Sequence, residues 1–229
     1  MPTTESTTTP RERYRQQVRA EVKEKAWQQI AGSGASALSL NAIAKQMGLS
    51  GPALYRYFAN RDELITELIR DAYRSLADAF AGVEDAGPGP ARLLALARVL
   101  RDWALADPHR YFLVYGTPVP GYEAPGDTTA ITSEMMSTLL DACTAATAAV
   151  SPEPAAPGEH AVAFETHLAG HRDWAAGHPD ASPEALRLAL SFWTRLHGAL
   201  SLELAGHFTG MGLDPALLYA AEVASLTGG

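Results

Sequence analysis

Apolar residues recur along this chain at three- and four-residue steps, and no window alternates with a period of two. From residue 11 to 31 the apolar positions are Tyr14, Val18, Val22, Ala26, Trp27 and Ile30, which is the spacing of one helical face. Gly32 and Gly34 stop that helix. Ser39 is an N-cap candidate for a short helix over 40–47 that Gly48 closes. Ser50 caps another over 51–58, with Pro52 in its first turn, where a missing N–H is harmless. Asn60 opens a long helix with Asp62 and Glu63 at its positive end. Its apolar stripe runs through Leu64, Ile65, Leu68, Ile69, Ala72, Tyr73, Leu76 and Phe80.

Beyond the Gly87-Pro88-Gly89-Pro90 break, the same periodicity predicts helices over 92–106, 108–115, 129–150, 161–176, 182–208 and 214–226. Residues 116–127, with three prolines and three glycines, form a loop, and 151–158 a Pro-rich linker. The expected fold is all-α with about nine or ten helices. A three-helix N-terminal domain over 11–60 precedes a larger helical bundle over 61–229. Residues 1–10, Thr-rich with two prolines, read as a disordered tail.

Composition narrows the class. The chain has 229 residues, 47% of them hydrophobic and 19% charged, enough to bury a core. No run approaches the ~18 consecutive apolar residues of a membrane span. The opening MPTTESTTTPRERYR has no apolar core of a secretory signal. One cysteine, Cys143, excludes an internal disulfide and a cysteine-based zinc site. A soluble cytoplasmic protein is expected, with no membrane partner. The net charge of -8 hides an asymmetry. Residues 1–61 carry nine basic and four acidic side chains, hence +5; the remainder carries -13. A basic head on an acidic body points to a polyanion partner for the head alone.

The segment SLNAIAKQMGLSGPALYRYF, residues 39–58, reads as two short helices joined by a tight turn at Gly48. Ile43, Ala44, Met47, Leu49, Leu54 and Phe58 supply the packing, and the small Ala44 lets the helices cross closely. Gly51, Pro52, Ala53, Tyr55, Arg56 and Tyr57 are left to face outward in the basic segment. That suits a helix that enters a DNA major groove, although an ordinary packed helix pair fits the pattern too.

The stretch LNAIAKQMGLSGPALYRYFANRDELI resembles the N-terminal domain of the TetR family of bacterial transcription regulators. The similarity rests on Gly48, Leu54-Tyr55, Phe58 and Arg61-Asp62-Glu63-Leu64, and spans about residues 14–68. It implies a double-stranded operator as partner, read through Ser39, Asn41, Ser50, Gly51, Pro52, Ala53, Tyr55, Arg56, Tyr57 and Arg61. Ser39 and Ser50 would offer hydroxyls and helix N-termini to phosphates. Arg56 could bind guanine O6 and N7 together, and Arg61 could hold a phosphate. Arg11, Arg13 and Arg15 would either track the minor groove or form a solvated arm.

Two further stretches, DPHRYFLVYGTPVPGYEAP and FWTRLHGALSLELAGHF, resemble a TetR subfamily marked by Trp-His-Gly, here Trp193, His197 and Gly198. The resemblance implies a bundle that dimerises and binds an effector. Ala189, Phe192, Leu196, Leu200 and Leu218 are the expected homodimer interface. Trp103, Tyr111, Phe112, Tyr115, Phe164 and Trp174 are the expected walls of a cavity for a small apolar or aromatic molecule. The competing readings are a metal-dependent enzyme using His167, His171 and Glu165, and a constitutive DNA-binding dimer without effector. No catalytic residue, metal or cofactor is expected.

Overall fold

The computed structural model describes residues 9–83, 86–123, 128–149 and 158–228. Most of the expected N-terminal tail, the end of the Pro-rich loop at 124–127, Val150 and the linker 151–157 lie outside them. Among the described residues there are ten α-helices and no strand, so the all-α expectation holds. The chain divides into two compact units, split within the fourth helix after Asp71.

The first unit holds α1 (Pro10–Ser33), α2 (Leu40–Gln46), α3 (Gly51–Leu54), the start of α4 (Arg61–Ala81) and most of α6 (Pro108–Tyr115). Thr9 and Glu12 form a capping box at the head of α1. The Glu12 N–H donates to Thr9 Oγ1 (3.3 Å) and the Thr9 N–H to Glu12 Oε2 (2.8 Å). The Thr9 backbone bond holds the Glu12 carboxyl below its usual pKa. Val18, Val22, Ala26 and Ile30 are the buried stripe of α1. Tyr14, expected in that stripe, is 62% exposed, as are its neighbours on the first turns of α1. Gly34, at φ +79°, ends the helix and donates its N–H to the Ile30 carbonyl.

Ser39 accepts from the Ala42 N–H at the head of α2, as an N-cap should (3.3 Å). Its own N–H donates to Gln29 Oε1 (3.0 Å), which ties α2 to α1. The turn at Gly48 uses φ +66°. Helix α3 is shorter than the 51–58 expected. After Leu54 the bonds tighten to Arg56 N–H→Ala53 and Tyr57 N–H→Leu54, the i→i−3 pattern of a closing turn. Leu54 and Phe58 are fully buried beside Leu64, Ile65 and Leu68 of α4. The described part of the Pro-rich loop belongs to this unit. Val119 is buried, and the Tyr122 hydroxyl lies 3.0 Å from Thr66 Oγ1.

The second unit holds the rest of α4 with α5 (Pro90–Ala106), α7 (Thr128–Ala149), α8 (Glu159–Gly170), α9 (Pro183–Leu204) and α10 (Pro215–Thr227). Its core combines Leu93, Leu96 and Leu100 of α5 with Met135 and Leu139 of α7 and Phe192 and Leu196 of α9. The Tyr219 hydroxyl donates to the Ala97 carbonyl inside this core (2.8 Å). Arg101 and Glu203 form a two-pronged pair, one arm at 2.8 Å.

Two helix ends fall short of expectation. Helix α8 stops at Gly170, and Asp173–Ala175 form a separate 3₁₀ turn. Arg172 holds that connection by donating to the His178 and Ala181 carbonyls (3.1 and 2.7 Å). Helix α9 stops at Leu204, not at residue 208, so its length is about 33 Å. The His207 N–H returns to the Leu202 carbonyl and the Gly206 N–H to Glu203, with Gly206 at φ +77°. This is a Schellman motif, and it reverses the chain before Gly210 and Gly212.

Candidate DNA interface

The helix pair α2–α3 presents an exposed edge made of Asn41, Lys45, Ser50, Pro52, Tyr55 and Arg56. Ser50 stands at the N-cap of α3 with no side-chain cap bond, so its hydroxyl is available to a ligand. The Ser39 hydroxyl already accepts from Ala42 and still has its proton to offer a phosphate. Gly51 and Ala53 are half-buried. A Cβ on Gly51 would stand 3.4 Å from Asn41 Oδ1, so the missing side chain leaves Asn41 its place beside the start of α3. Tyr55 is 46% exposed and Arg56 is exposed, whereas Tyr57 is half-buried. Arg61 is half-buried: its Nε is closed to solvent and lies 3.5 Å from Asp62 Oδ1.

Ten sequence-derived positions therefore share one small region, but they present themselves unequally. Asn41, Ser50, Pro52, Tyr55 and Arg56 face solvent, while Ser39, Gly51, Ala53, Tyr57 and Arg61 are partly covered. Arg11, Arg13 and Arg15 are exposed on the first turns of α1.

Two basic residues of the head do not add to its field. Arg19 pairs with Glu63 (3.7 Å) and Glu67 (3.3 Å), and Lys23 with Asp71 (2.6 Å). Arg19 also donates to the Tyr57 carbonyl, and its guanidinium lies 4.1 Å over the Phe58 ring. Asn60 caps α4 through the Glu63 N–H (2.8 Å), and Glu63 accepts from the Ala59 N–H (2.6 Å).

Two family models match this chain. One, described as bacterial regulatory proteins of the tetR family, covers residues 24–68. The other, described as a tetracyclin repressor-like C-terminal domain, covers residues 93–226. The chain belongs to the TetR family. It is a DNA-binding transcriptional regulator by that membership. The HTH-type transcriptional regulators Mb1846 of Mycobacterium bovis and Rv1816 of Mycobacterium tuberculosis are each 33% identical to it over 221 residues. Those matches cover 91% of this chain and 90% of each relative. Among solved structures, the regulatory protein SCO4313 is 60% identical, with a TM-score of 0.84, over 96% of this chain and all of its own. A Rhodococcus sp. RHA1 protein of unknown function shares the fold at 23% identity and TM-score 0.68, over 92% of this chain and 94% of its own.

The regulatory body of this TetR chain departs from the sequence-derived assignments. Ala189, Phe192, Leu196 and Leu200 are fully buried within the single chain, where they pack its core. The stripe that packs a helix inside one bundle has the same spacing as one that packs it against a partner. Leu218 is half-buried, and the exposed apolar side chains nearby are Leu202, Met211, Leu213 and Leu217.

The six aromatic residues assigned to an effector cavity are divided between the two units, Tyr111, Phe112 and Tyr115 in the first and Trp103, Phe164 and Trp174 in the second. Tyr111 is fully buried and packs edge-on against Phe112 and at a tilt against Tyr115. Trp103 is buried and donates to Ser75 Oγ (3.1 Å). Phe164 is exposed on α8, and Trp174 donates to the His171 carbonyl (3.1 Å). Phe112 does line an open cavity of about 330 Å³, with Ile30, Ser36, His109, Leu113 and Val119. Among the described residues no carboxylate, lysine or arginine lines it.

The rings of His167 and His171 stack at 4.0 Å, and Glu165 pairs with Arg187 (2.6 Å). Among the described residues no three His, Cys, Asp or Glu side chains group as metal ligands, and no helix is long and apolar enough to cross a membrane.

Proposed function

We propose that this regulator is a homodimeric repressor that reads its operator with α3 and leaves it when a small, neutral, mostly apolar molecule binds. The exposed edge Asn41–Ser50–Pro52–Tyr55–Arg56, at the head of a one-turn helix, carries this reading. A free N-cap hydroxyl suits a phosphate, and an arginine fork suits guanine. The cavity beside Phe112 supports a neutral effector, because among the described residues no carboxylate or guanidinium lines it. The second subunit supplies the second half-site, and the exposed Leu202, Met211, Leu213 and Leu217 are among the apolar residues available to a partner. Effector binding favours a body conformation in which the two recognition helices no longer match the half-site spacing.

A duplex selected from a random pool by the wild-type protein provides the operator for the test. Arg56→Ala should weaken operator binding by about 1–3 kcal/mol and relax preference at one base pair. Operator affinity equal to wild type would remove Arg56 from base reading. A compound that releases the operator should do so less well with Phe112→Ala, with affinity for DNA alone retained. The packed states of Trp103 and Tyr111 favour a second reading, a constitutive DNA-binding dimer. A broad compound screen without any effect on operator binding would establish it.

A further inference from the structure

We propose that Arg19 is a positioning residue for sequence-specific DNA binding, fixing the aim of α3 without touching DNA. The inference rests on α3 being the reading element. Helix α3 has four helical residues, far too few to hold a direction by its own hydrogen bonds. Leu54 and Phe58 anchor its buried side and α2 packs against it, but none of these apolar contacts bonds the backbone where α3 ends. Arg19 supplies that bond. One guanidinium N–H donates to the Tyr57 carbonyl, where the tightened turn after α3 runs out. The guanidinium face covers the Phe58 ring at 4.1 Å. The remaining edge meets Glu67 at 3.3 Å and Glu63 at 3.7 Å.

Glu63 also accepts the Ala59 N–H at 2.6 Å, so the connection from α3 to α4 is held from the same cluster. A planar fork with five donors can stack on a ring and bond along several edges at once, which an ammonium cannot. With two carboxylates beside it, the Arg19 charge is already balanced and has little to offer a phosphate. Lys23 and Asp71 repeat the pairing one turn further along both helices.

A merely structural arginine would alter stability and weaken all DNA alike, whereas a positioning one alters the ratio between operator and non-operator DNA. The test measures Kd for the selected operator and for a scrambled duplex of equal length, at several salt concentrations, with helix content followed by circular dichroism. Arg19→Met keeps the length and the apolar cover of Phe58. It should raise the operator Kd about tenfold or more, leave the scrambled-duplex Kd within about twofold, and preserve the salt slope. Arg19→Lys and Glu67→Gln should each raise the operator Kd about threefold or more at unchanged helix content.

A folded Arg19→Met that binds the operator as wild type does overturns the proposal. So does equal weakening on both duplexes with the slope lower by about one unit, which would make Arg19 a phosphate ligand. If Arg19→Met does not fold, Glu67→Gln decides on the same criteria. Arg56→Ala in the same assay separates the two ideas: if it too leaves operator binding unchanged, α3 is not the reading element.

Discussion

His197 should make this protein lose stability as the pH falls from 6.5 towards 4. Its Nε2 is closed to solvent, and its ring lies 4.4 Å from that of Trp193. Burial penalises the charged imidazolium and lowers the pKa from 6.5 to about 4. The folded pKa is therefore below the unfolded one. Above pH 6.5 both states are neutral at this residue and stability is complete. Below it the unfolded chain takes up a proton that the folded chain refuses, so stability falls until the pH passes about 4. At 1.36 kcal/mol for each pKa unit, the full loss is about 3 kcal/mol, of which about 2 kcal/mol is gone by pH 5. Against a typical stability of about 5–15 kcal/mol this is a large fraction. The comparison is with His197→Gln, which keeps a polar side chain without the imidazole. Urea unfolding followed by circular dichroism at pH 7.5, 6, 5 and 4.5 gives both curves. The stability of wild type relative to the variant should drop by about 2 kcal/mol between pH 7.5 and 5. A difference that stays constant over that range would refute the assignment of a proton-excluding site to His197.

Cys143 is buried, and burial pushes its thiol from 9.0 to about 12. Iodoacetamide at pH 8 should alkylate it about a thousandfold more slowly in the native protein than in urea, as mass spectrometry would read. Leu196→Ala should lower stability by about 2–5 kcal/mol in urea unfolding while leaving sedimentation unchanged, because Leu196 lies in the core of one chain. Gly206→Ala should lower the thermal midpoint, at a cost of about 1–2 kcal/mol, because the Schellman turn needs φ +77° there.

The fold was legible because helix signals are local. Ser39, Ser50, Asn60, Ser182 and Asp214 stand at helix starts, and each precedes a run with a 3.6-residue apolar period, whereas Thr9, read as part of the tail, caps α1. The errors fall where a distant partner decides. The end of α8 depends on Arg172 reaching carbonyls six and nine residues ahead, which no periodicity encodes. The end of α9 was written in Gly206, but the apolar residues beyond it continued the stripe and masked the stop. The burial of the residues expected at a dimer interface has a different origin. Ala189, Phe192, Leu196 and Leu200 were chosen as an apolar face, and an apolar face shows that something covers it without naming the cover.

The charge of the head shows the same distinction at the candidate site. The tally that made residues 1–61 strongly basic counted Arg19 and Lys23 as free, and it stopped before the acids that meet them. Glu63, Glu67 and Asp71 recur every four residues on α4, and Arg19 and Lys23 are four apart on α1. Two helices packed side by side bring such rows into register, so this pairing was present in the sequence as matching periods. What the sequence lacked was the adjacency of α1 and α4. Once that is known, the basic residues separate into two kinds. Arg11, Arg13, Arg15, Lys45 and Arg56 are exposed and contribute to a field that a polyanion would meet. Arg19 and Lys23 are spent inside the fold, where their charge holds the helix that does the reading. A count of basic residues therefore overstates the attraction of the head for DNA and understates how firmly its short helix is held.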